Sequence, residues 1–414
     1  MLDQPQPYLP GLEPRTPDPK GPLLGMKVLD IATMIAAPTA ATFLADFGAD
    51  VIKAEMPGAG DSLRQLGPFF EGKSLRWSVN ARNKRSITVD FHKPEGQAIV
   101  KELVREYDVV TENFRPGVLD TWNLGYEDLK AINPRVILLS ISAYGQTGPY
   151  KGKAGFGRII EAISGAMALT GFPGGPPVMS GFMFVDRLIG VMGALSVMMA
   201  DYERQKSGLG QWIDQSVNEG ILRILEPLVA EYAKLGKTTP RTGNRNPNIA
   251  PGDLFVTRDK KYVFISAATQ SVFERLMRAI GRKDTLSDPR FATNAERIKH
   301  PDEINQVVAD WFAEHDLAEA VRTLEAKDVP VGPVNEIGDV ITDPQHLARQ
   351  AIIKIADPLL GEVTMPAAIP AFSRTPGHIW STGPRIGEHN EDVFRNVLGY
   401  SEETIARLRE AGAI

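Results

Sequence analysis

The 414-residue chain contains no cysteine. This absence excludes disulfide bonds, thiolate metal ligands and cysteine nucleophiles, and it favours a cytoplasmic location. Long apolar runs are missing too: the longest nearly pure one, 188–200, has 13 residues, whereas a membrane-spanning helix requires roughly 20. We therefore expect no transmembrane segment and no membrane partner.

The chain also has no large excess of charge of one sign. The chain has 46 Lys and Arg against 51 Asp and Glu, a formal net charge of −5. No basic cluster with interleaved aromatic residues is present, so nucleic acid is not an expected partner. A small anionic ligand remains compatible, because a few local Lys and Arg side chains can hold phosphates. The proline-rich N-terminus, with seven prolines in its first 25 residues, predicts an extended arm over 1–24, not a signal peptide.

Several common catalytic motifs are missing. The sequence has neither a phosphate-cradling G-x-x-x-x-G-K-[ST] nor a G-x-S-x-G nucleophile turn. The segment PGAGDSLRQLG has Leu63 where a dinucleotide fingerprint requires its third glycine. The six histidines never form H-x-x-x-H or another metal-ligand spacing, so we expect no metal site.

The first half of the chain alternates short β-branched runs with amphipathic stretches, a pattern typical of a parallel sheet with helical crossovers. The runs are 27–33, 50–55, 85–91, a stretch beginning at Asp108, and 136–145. They predict an α/β fold with a Rossmann-like, doubly wound large domain. After a change of texture at 238–253, a β-hairpin and a helical run predict a smaller α+β domain.

Asp186 lies between a Gly/Pro-rich loop (170–182) and an apolar stretch that predicts a helix buried on most sides. On these local residues alone, an aspartate at a helix start favours a structural role. Its carboxylate would cap free N–H groups and complement the helix dipole. A catalytic role needs support from elsewhere in the chain.

That support comes from an ordered series of segments covering most of the chain. They are VLDIATMIAAPTAATFLADFGADVIKAE, NKRSITVDFHKPEG, ENFRPGVLDTWNLGYEDL, INPRVILLSISAYGQTGP, SGAMALTGFPGGPP, FVDRLIG, SGLGQWIDQS, VPVGPV and GEHNEDV. Each segment is weak evidence alone. In this order they resemble the family III CoA-transferases, the group that includes formyl-CoA:oxalate and carnitine CoA-transferases.

The resemblance implies a CoA-transferase in which Asp186 is the carboxylate nucleophile. It implies coenzyme A or acyl-CoA as substrate, a carboxylic acid as acceptor, and no tightly bound cofactor. The implied CoA-binding residues are Met34, Ile35, Ala36, His92, Asn113, Phe114 and Arg115. They follow predicted strands, where open α/β sheets bind ligands. For His92, a position as a solvent-facing residue before a helix explains the sequence as well as a contact with CoA does.

The basic group Arg82, Lys84 and Arg85 lies near the same predicted edge. It suits CoA phosphates, and a solvated turn explains it nearly as well. Arg187, directly after the implied nucleophile, is either an ordinary first-turn residue or a contact for a second substrate carboxylate.

The resemblance also implies an intertwined homodimer in which both ends of each chain build the large domain. We therefore assign 25–220 to the first part of the large domain and 221–335 to the smaller domain with linker helices. The return segment 336–414 then completes the large domain. The resemblance departs at 242–252, where some members have a glycine-rich loop that closes over the nucleophile, so loop closure is not predicted here.

Two alternative functions remain open. One is an isomerase of the α-methylacyl-CoA racemase type, but Phe156 stands where the pattern of those enzymes has a catalytic histidine. The other is a non-catalytic CoA-binding or dinucleotide-binding protein, in which Asp186 only caps its helix.

Overall fold

The computed structural model describes residues 21–414, so the predicted arm lies outside the described residues up to residue 20. The described residues form two compact units. The first extends to Ala166 and also contains Ser180–Val229 and Asp343–Ile414, and the second contains Met167–Met179 and Ala230–Thr342. The domain limits given above stay a prediction. No helix in the described part of the chain is long and apolar enough to cross a membrane.

The elements are as follows. The strands are β1 (Lys27–Asp30), β2 (Asp50–Glu55), β3 (Phe69–Phe70), β4 (Lys73–Ser74), β5 (Lys84–Thr88), β6 (Val109–Glu112), β7 (Ile137–Ser142), β8 (Trp212–Ser216), β9 (Gly252–Val256), β10 (Tyr262–Ser266), β11 (Val331–Pro333), β12 (Ile352–Asp357) and β13 (Gly361–Pro366). The α-helices are α1 (Ala36–Asp46), α2 (Leu75–Asn80), α3 (Pro94–Val104), α4 (Val118–Thr121), α5 (Tyr126–Ile132), α6 (Gly157–Ile163), α7 (Ala166–Leu169), α8 (Phe184–Ser207), α9 (Val217–Ile224), α10 (Glu226–Leu235), α11 (Gln270–Ala279), α12 (Asn294–Arg297), α13 (Pro301–Glu314), α14 (Leu317–Glu325), α15 (Ile337–Thr342), α16 (Pro344–Ala348) and α17 (Glu402–Glu410). Short 3₁₀ helices occur at Ser62–Gln65, Lys283–Ser287 and Pro289–Phe291, and a π-helix at Asp392–Val397.

A six-stranded parallel sheet forms the centre of the first unit, in the order β5-β2-β1-β6-β7-β8. Counted along the chain within this sheet, the order is 3-2-1-4-5-6, the order found in doubly wound dinucleotide-binding folds. Inner strands such as β7 are buried along their whole length, as expected where helices cover both faces. The predicted α/β class with a parallel sheet is confirmed.

Two helical layers cover this sheet. Helices α1 and α8 pack on one face, where Leu44 and Val197 join a core with Val28 and Leu139. On the other face, α3 and α5 pack together with the C-terminal segment, which contributes Phe394 and other apolar side chains. The end of the chain therefore completes a core that the first 140 residues begin.

Helix α8 differs from its prediction. Its composition predicts a helix buried on most sides, but only the face that packs on α1 and the sheet is buried. On the opposite face, Leu195 is 55% exposed and Met199 is 62% exposed, and Val191 and Tyr202 are also exposed. Within a single chain the helix thus has one buried face and one uncovered apolar face.

Strand β5 is an edge strand whose free N–H groups are satisfied by side chains from the C-terminal segment. The Ser86 N–H donates to His389 Nδ1 at 3.1 Å, and the Thr88 N–H donates to Asn390 Oδ1 at 2.9 Å. The Asn390 amide donates in turn to Thr88 Oγ1 at 2.7 Å. These contacts take the place of a further strand and protect the sheet edge.

The second unit is an α+β body, as predicted. Its hairpin β9–β10 pairs antiparallel and adds β11 on the other side of β10. Phe273, Phe312 and Leu324 form the centre of its hydrophobic core with side chains from α11, α13 and α14.

Candidate active site

A cavity of about 570 Å³ opens in the first unit at the carboxyl ends of β1, β6 and β7. Its wall brings together most of the residues predicted from the sequence: Met34, Ile35, Ala36, Asn113, Phe114, Arg115 and Asp186. Carboxyl ends of parallel strands meet at one edge of a sheet, which explains how residues up to 152 positions apart reach one cavity. His92 is the one predicted residue that does not line it.

The turn after β1 is held in a strained conformation by a buried aspartate. Met34 has a φ of 66°, in the left-handed region that non-glycine residues rarely adopt. Its N–H donates to Asp61 Oδ1 at 3.0 Å. The other Asp61 oxygen lies 3.0 Å from the Nζ of buried Lys53. This ion pair helps to fix the turn that carries Met34, Ile35 and Ala36 into the cavity wall.

Buried charges surround that turn. Lys53 also lies 3.7 Å from Asp30, whose other oxygen accepts from Lys84 at 2.8 Å. Burial opposes the charge on Lys53, but the negative charges of Asp30 and Asp61 outweigh it and raise the pKa of the Lys53 ammonium. All four side chains are at most 2% exposed. They therefore form a rigid charged support beneath the cavity.

The basic group near the sheet edge is engaged inside the protein. Arg82 forms a bidentate pair with Asp46, and Lys84 is buried against Asp30. Arg85 pairs with Asp50 and Asp392. Because its ammonium is buried, Lys84 is neither a phosphate contact nor part of a solvated turn. No sequence pattern reveals that this ammonium points into the core.

The turn after β6 is fixed by its own polar side chains. The Asn113 amide donates to the Thr33 carbonyl at 2.7 Å and accepts from the Thr33 N–H at 2.8 Å, so it ties this turn to the one after β1. Buried Glu112 accepts from the Phe114 N–H at 2.7 Å. Burial raises the pKa of Glu112 to about 7, against hydrogen bonds from Ser140 and Phe114. Arg115 follows this turn and remains exposed.

Asp186 is the third residue of α8 and does not cap it. The N-cap residue is Met183, and its side chain makes no capping hydrogen bond. The half-buried Asp186 carboxylate instead accepts from the N–H of Gly157, the first residue of α6. A Cβ placed on Gly157 would lie 2.5 Å from Asp186 Oδ2, so the absence of a side chain permits this contact. The carboxylate therefore faces the cavity and a neighbouring helix, not its own backbone.

The electrostatic environment of Asp186 combines burial with nearby cations. Burial raises the pKa of the Asp186 carboxyl, and the charge of Arg187, the Gly157 N–H and the charge of Arg158 oppose that increase. A partly desolvated carboxylate that still carries charge is a stronger base and nucleophile than one in water.

Three further cations line the cavity and escaped the sequence reasoning: Lys151, Lys153 and Arg158. They lie in the segment KGKAGFGR after β7, in which the sequence predicts a role only for the position of Phe156. Their alternation with glycine and their closeness to the turn before α6 could have indicated them. Arg187, by contrast, does not line the cavity. Its Nη1 donates to Thr39 Oγ1 on α1 at 3.1 Å.

His92 lines a second cavity of about 330 Å³ beside the first. Its ring lies edge-on to Trp122 at 5.2 Å between centroids, and Nδ1 lies 3.0 Å from Asp90 Oδ1. Phe91 and Phe114 pack on the same Trp122. Arg115 and Phe114 line both cavities. The second cavity is thus an aromatic pocket that adjoins the Asp186 cavity at Arg115.

The cavity offers one carboxylate and no imidazole. Phe156 is 66% exposed and lines the wall at the position where the isomerase pattern has its histidine. No histidine belongs to the described wall of this cavity. Across residues 21–414, no group of three or more His, Asp or Glu side chains is placed to hold a metal ion. The arrangement suits nucleophilic chemistry by a carboxylate.

The chain is similar to known proteins over most of its length. A family model described as CoA-transferase family III matches residues 23–390. The succinyl-CoA--D-citramalate CoA-transferase of Chloroflexus aurantiacus is 42% identical over 392 residues, which cover 94% of this chain and 98% of that protein. The human succinyl-CoA:glutarate CoA-transferase is 33% identical over 395 residues, covering 95% of this chain and 90% of that protein.

A solved structure has a similar fold over most of the chain. The crystal structure of a CAIB/BAIF family protein from Brucella suis aligns with a TM-score of 0.83 and 34% identity. The alignment covers 91% of this chain and 100% of that chain. The likeness therefore extends over both compact units and is not confined to the parallel sheet.

Proposed function

Because the chain belongs to CoA-transferase family III and is thus a CoA-transferase, we propose that it transfers CoA between carboxylic acids with Asp186 as the covalent nucleophile. The observation that carries this proposal is the position of the Asp186 carboxylate. It is half-buried, it is in contact with the Gly157 N–H, and it lies in the wall of a cavity large enough for an acyl-pantetheine arm.

We propose that CoA occupies both adjoining cavities. The aromatic pocket with His92 and Trp122 suits the adenine end, because aromatic side chains stack on a base. Arg115 lies where the two cavities meet and suits the phosphates. The turn Met34-Ile35-Ala36 and residues Asn113 and Phe114 then line the path of the pantetheine arm toward Asp186. Binding at the remote end holds the thioester carbonyl in position for attack.

In the first half-reaction, an Asp186 oxygen attacks the thioester carbonyl of the donor. The carbon–sulfur bond breaks, CoA leaves as the thiolate, and a mixed anhydride joins Asp186 to the donor acyl group. The thiolate then attacks the aspartyl carbonyl of this anhydride. The donor acid leaves as its carboxylate, and an aspartyl-CoA thioester remains on the enzyme.

The second half-reaction repeats these steps in reverse order. A carboxylate oxygen of the acceptor attacks the aspartyl carbonyl of the thioester. This attack releases CoA thiolate and joins the acceptor to Asp186 in a second mixed anhydride. The thiolate then attacks the acceptor carbonyl of that anhydride. This step gives the new acyl-CoA and restores the Asp186 carboxylate, so the thioester bond energy is conserved and no water is consumed.

We propose succinyl-CoA as donor and a small dicarboxylic acid as acceptor. The activities for which the similar proteins are named, with citramalate and with glutarate, support this class. The cations Lys151, Lys153 and Arg158 in the cavity wall support it as well, because they favour anionic substrates.

We further propose that the chain works as a homodimer in the cytoplasm. The uncovered apolar face of α8, with Leu195 and Met199, supports self-association, since apolar patches of this kind mark protein contacts. The absence of cysteine agrees with a reducing compartment.

The test of the proposed function is a steady-state transfer assay with purified full-length protein. Succinyl-CoA is varied against glutarate and citramalate as acceptors. We expect parallel double-reciprocal lines, the mark of a ping-pong reaction. Asp186→Ala should lower kcat by at least about 10³-fold, whereas Glu203→Gln, an exposed carboxylate on the same helix, should retain activity. Intersecting lines, or substantial transfer by Asp186→Ala, would contradict the proposal.

A further inference from the structure

A dicarboxylate substrate has a second carboxylate that takes no part in the transfer, and a selective enzyme must recognise it. The inference below rests on the proposed function, since it concerns the acyl group carried to Asp186. In a four-carbon diacid the second carboxylate lies only a few ångströms beyond the reacting carbonyl. The group that recognises it must therefore lie in the same cavity, close to Asp186.

Burial raises the pKa of the Asp186 carboxyl, and the charges of two arginines, Arg187 and Arg158, oppose that increase. Arg187 follows Asp186 on α8, but successive residues of a helix point in different directions. Its guanidinium is half-buried against α1, where it donates to Thr39 Oγ1, and it does not line the cavity. Arg187 therefore does not belong to the wall of the cavity that we propose for the acyl group.

Arg158 has the opposite placement. It follows Gly157, whose N–H contacts the Asp186 carboxylate, and it lines the Asp186 cavity. Its Nη1 lies 3.5 Å from the Ser180 carbonyl, on the segment that leads into α8. The guanidinium thus reaches from α6 to the segment that leads into α8, and Arg158 is an exposed residue of the cavity wall.

The other cations of the cavity are placed for other partners. Arg115 lies at the junction with the His92 pocket. The ammonium of Lys153 lies 3.5 Å from the ring centroid of Tyr150, in a cation–π contact. Neither of them, nor Lys151, is among the charges that lower the pKa of the Asp186 carboxyl. Of the cavity's described cations, Arg158 alone combines a place in the wall with closeness to the reacting carboxylate.

We propose that Arg158 binds the distal carboxylate of a dicarboxylic acyl group while Asp186 attacks its thioester carbonyl. A guanidinium presents two parallel N–H donors that match a carboxylate, so it reads this group with more geometric selectivity than a lysine ammonium. Arg158 would then favour succinyl-CoA over a four-carbon acyl-CoA that lacks the second carboxylate.

The test compares succinyl-CoA with butyryl-CoA as donors for full-length protein, at one fixed acceptor. In a ping-pong reaction, kcat/KM for the donor reports the first half-reaction alone, so the acceptor does not affect the comparison. The readout is the ratio of the two kcat/KM values. We expect the parent to prefer succinyl-CoA and Arg158→Gln to lower this ratio about 10- to 100-fold, the usual effect of losing a charge-assisted hydrogen bond. Arg158→Lys should give an intermediate ratio.

Arg187→Gln is the matched control, because it removes a neighbouring guanidinium that does not face the cavity. Its ratio should stay within about twofold of the parent. An unchanged ratio in an active Arg158→Gln variant, or a parent without preference for succinyl-CoA, would overturn the inference alone. A shifted ratio in Arg187→Gln would transfer the role to Arg187. Absence of transfer from either donor by the parent would overturn the proposed function, and the inference with it.

Discussion

Gly157 sets how closely the backbone approaches the Asp186 carboxylate. Its N–H reaches the carboxylate because no side chain lies between them, and a Cβ there would be 2.5 Å from Oδ2 and 2.7 Å from Cγ. Gly157 does not have a positive φ, so an alanine is compatible with its backbone conformation. The requirement for glycine is one of space at the carboxylate.

We therefore predict that Gly157→Ala displaces Asp186 and lowers kcat/KM by about 10²-fold, the effect expected from a shift of about 1 Å at a reacting group. Thermal stability should change little, since alanine favours the first turn of α6. Gly152→Ala is the control, because a Cβ at Gly152 has no atom within 4 Å. Steady-state kinetics and thermal denaturation of both variants check the prediction. Equal kinetics of Gly157→Ala and the parent would contradict it.

At this scale the sequence predicts which residues gather at the cavity better than it predicts their hydrogen-bond and ion-pair partners. The ordered segments single out Asp186, although its local setting favours a helix cap that the structure does not show. The sequence does not reveal that Arg82 and Lys84 point at buried aspartates, or that Arg158 faces the cavity. Side-chain direction depends on packing between segments distant in the chain, and no local pattern encodes it.

Among the elements, strand β5 depends on a residue far away in the chain. His389 Nδ1 accepts from the Ser86 N–H, which requires an unprotonated Nδ1. Burial lowers the pKa of His389, with Glu388 opposing and Arg85 reinforcing the decrease. As the pH falls, the His389 imidazole therefore becomes protonated at a higher pH in the unfolded chain than in the folded protein. The contribution of His389 to stability is full above the ordinary histidine pKa of about 6.5 and is lost as the pH falls through the folded value.

We predict that the free energy of unfolding of the parent falls more steeply between about pH 7.5 and about pH 5 than that of His389→Asn. Asparagine can place an acceptor oxygen near the position of Nδ1 but does not titrate. His389→Ala should cost about 1–3 kcal/mol at neutral pH, because the Ser86 N–H loses its acceptor. Urea unfolding at several pH values measures both effects. Parallel pH profiles for parent and His389→Asn would contradict the assignment.

Element types were largely predictable, and element surroundings were not. The β-branched runs predict the strands β1, β2, β5, β6 and β7 because parallel strands covered on both faces are nearly all apolar. Helix α8 is apolar in composition, yet one of its apolar faces is uncovered within one chain. Composition alone does not distinguish a helix buried within its own chain from one with a free apolar face.

On the scale of the whole molecule, the chain returns from its second unit to complete the first. The C-terminal residues Val393, Phe394 and Leu408 fill the core beside α3 and α5. The sequence predicted the fold class and the family, since both depend on the order of segments. When two ends of a chain share one core, no local sequence pattern shows it. Only the resemblance to the family predicts this arrangement.

The uncovered face of α8 leads to a prediction about assembly. We expect the parent to elute at twice the chain mass, and Leu195→Glu with Met199→Glu to shift it toward the monomer, because each places a charge in an apolar contact. Glu203→Gln, exposed on the same helix, should leave the mass unchanged. Size-exclusion chromatography with light scattering measures these masses. A parent that is monomeric at micromolar concentration would contradict the prediction.

The central claim is that Asp186 carries the acyl group and then CoA. The most direct measurement incubates the protein with succinyl-CoA alone, treats it with hydroxylamine or borohydride, and analyses the peptides by mass spectrometry. Hydroxylamine converts an aspartyl thioester or anhydride to a hydroxamate. Borohydride, used instead, reduces the thioester or anhydride to an alcohol. We expect a mass change on the peptide that contains Asp186, localised to that residue and absent from Asp186→Asn. An unmodified Asp186 in protein that is active in transfer, or modification of a different carboxylate, would contradict it.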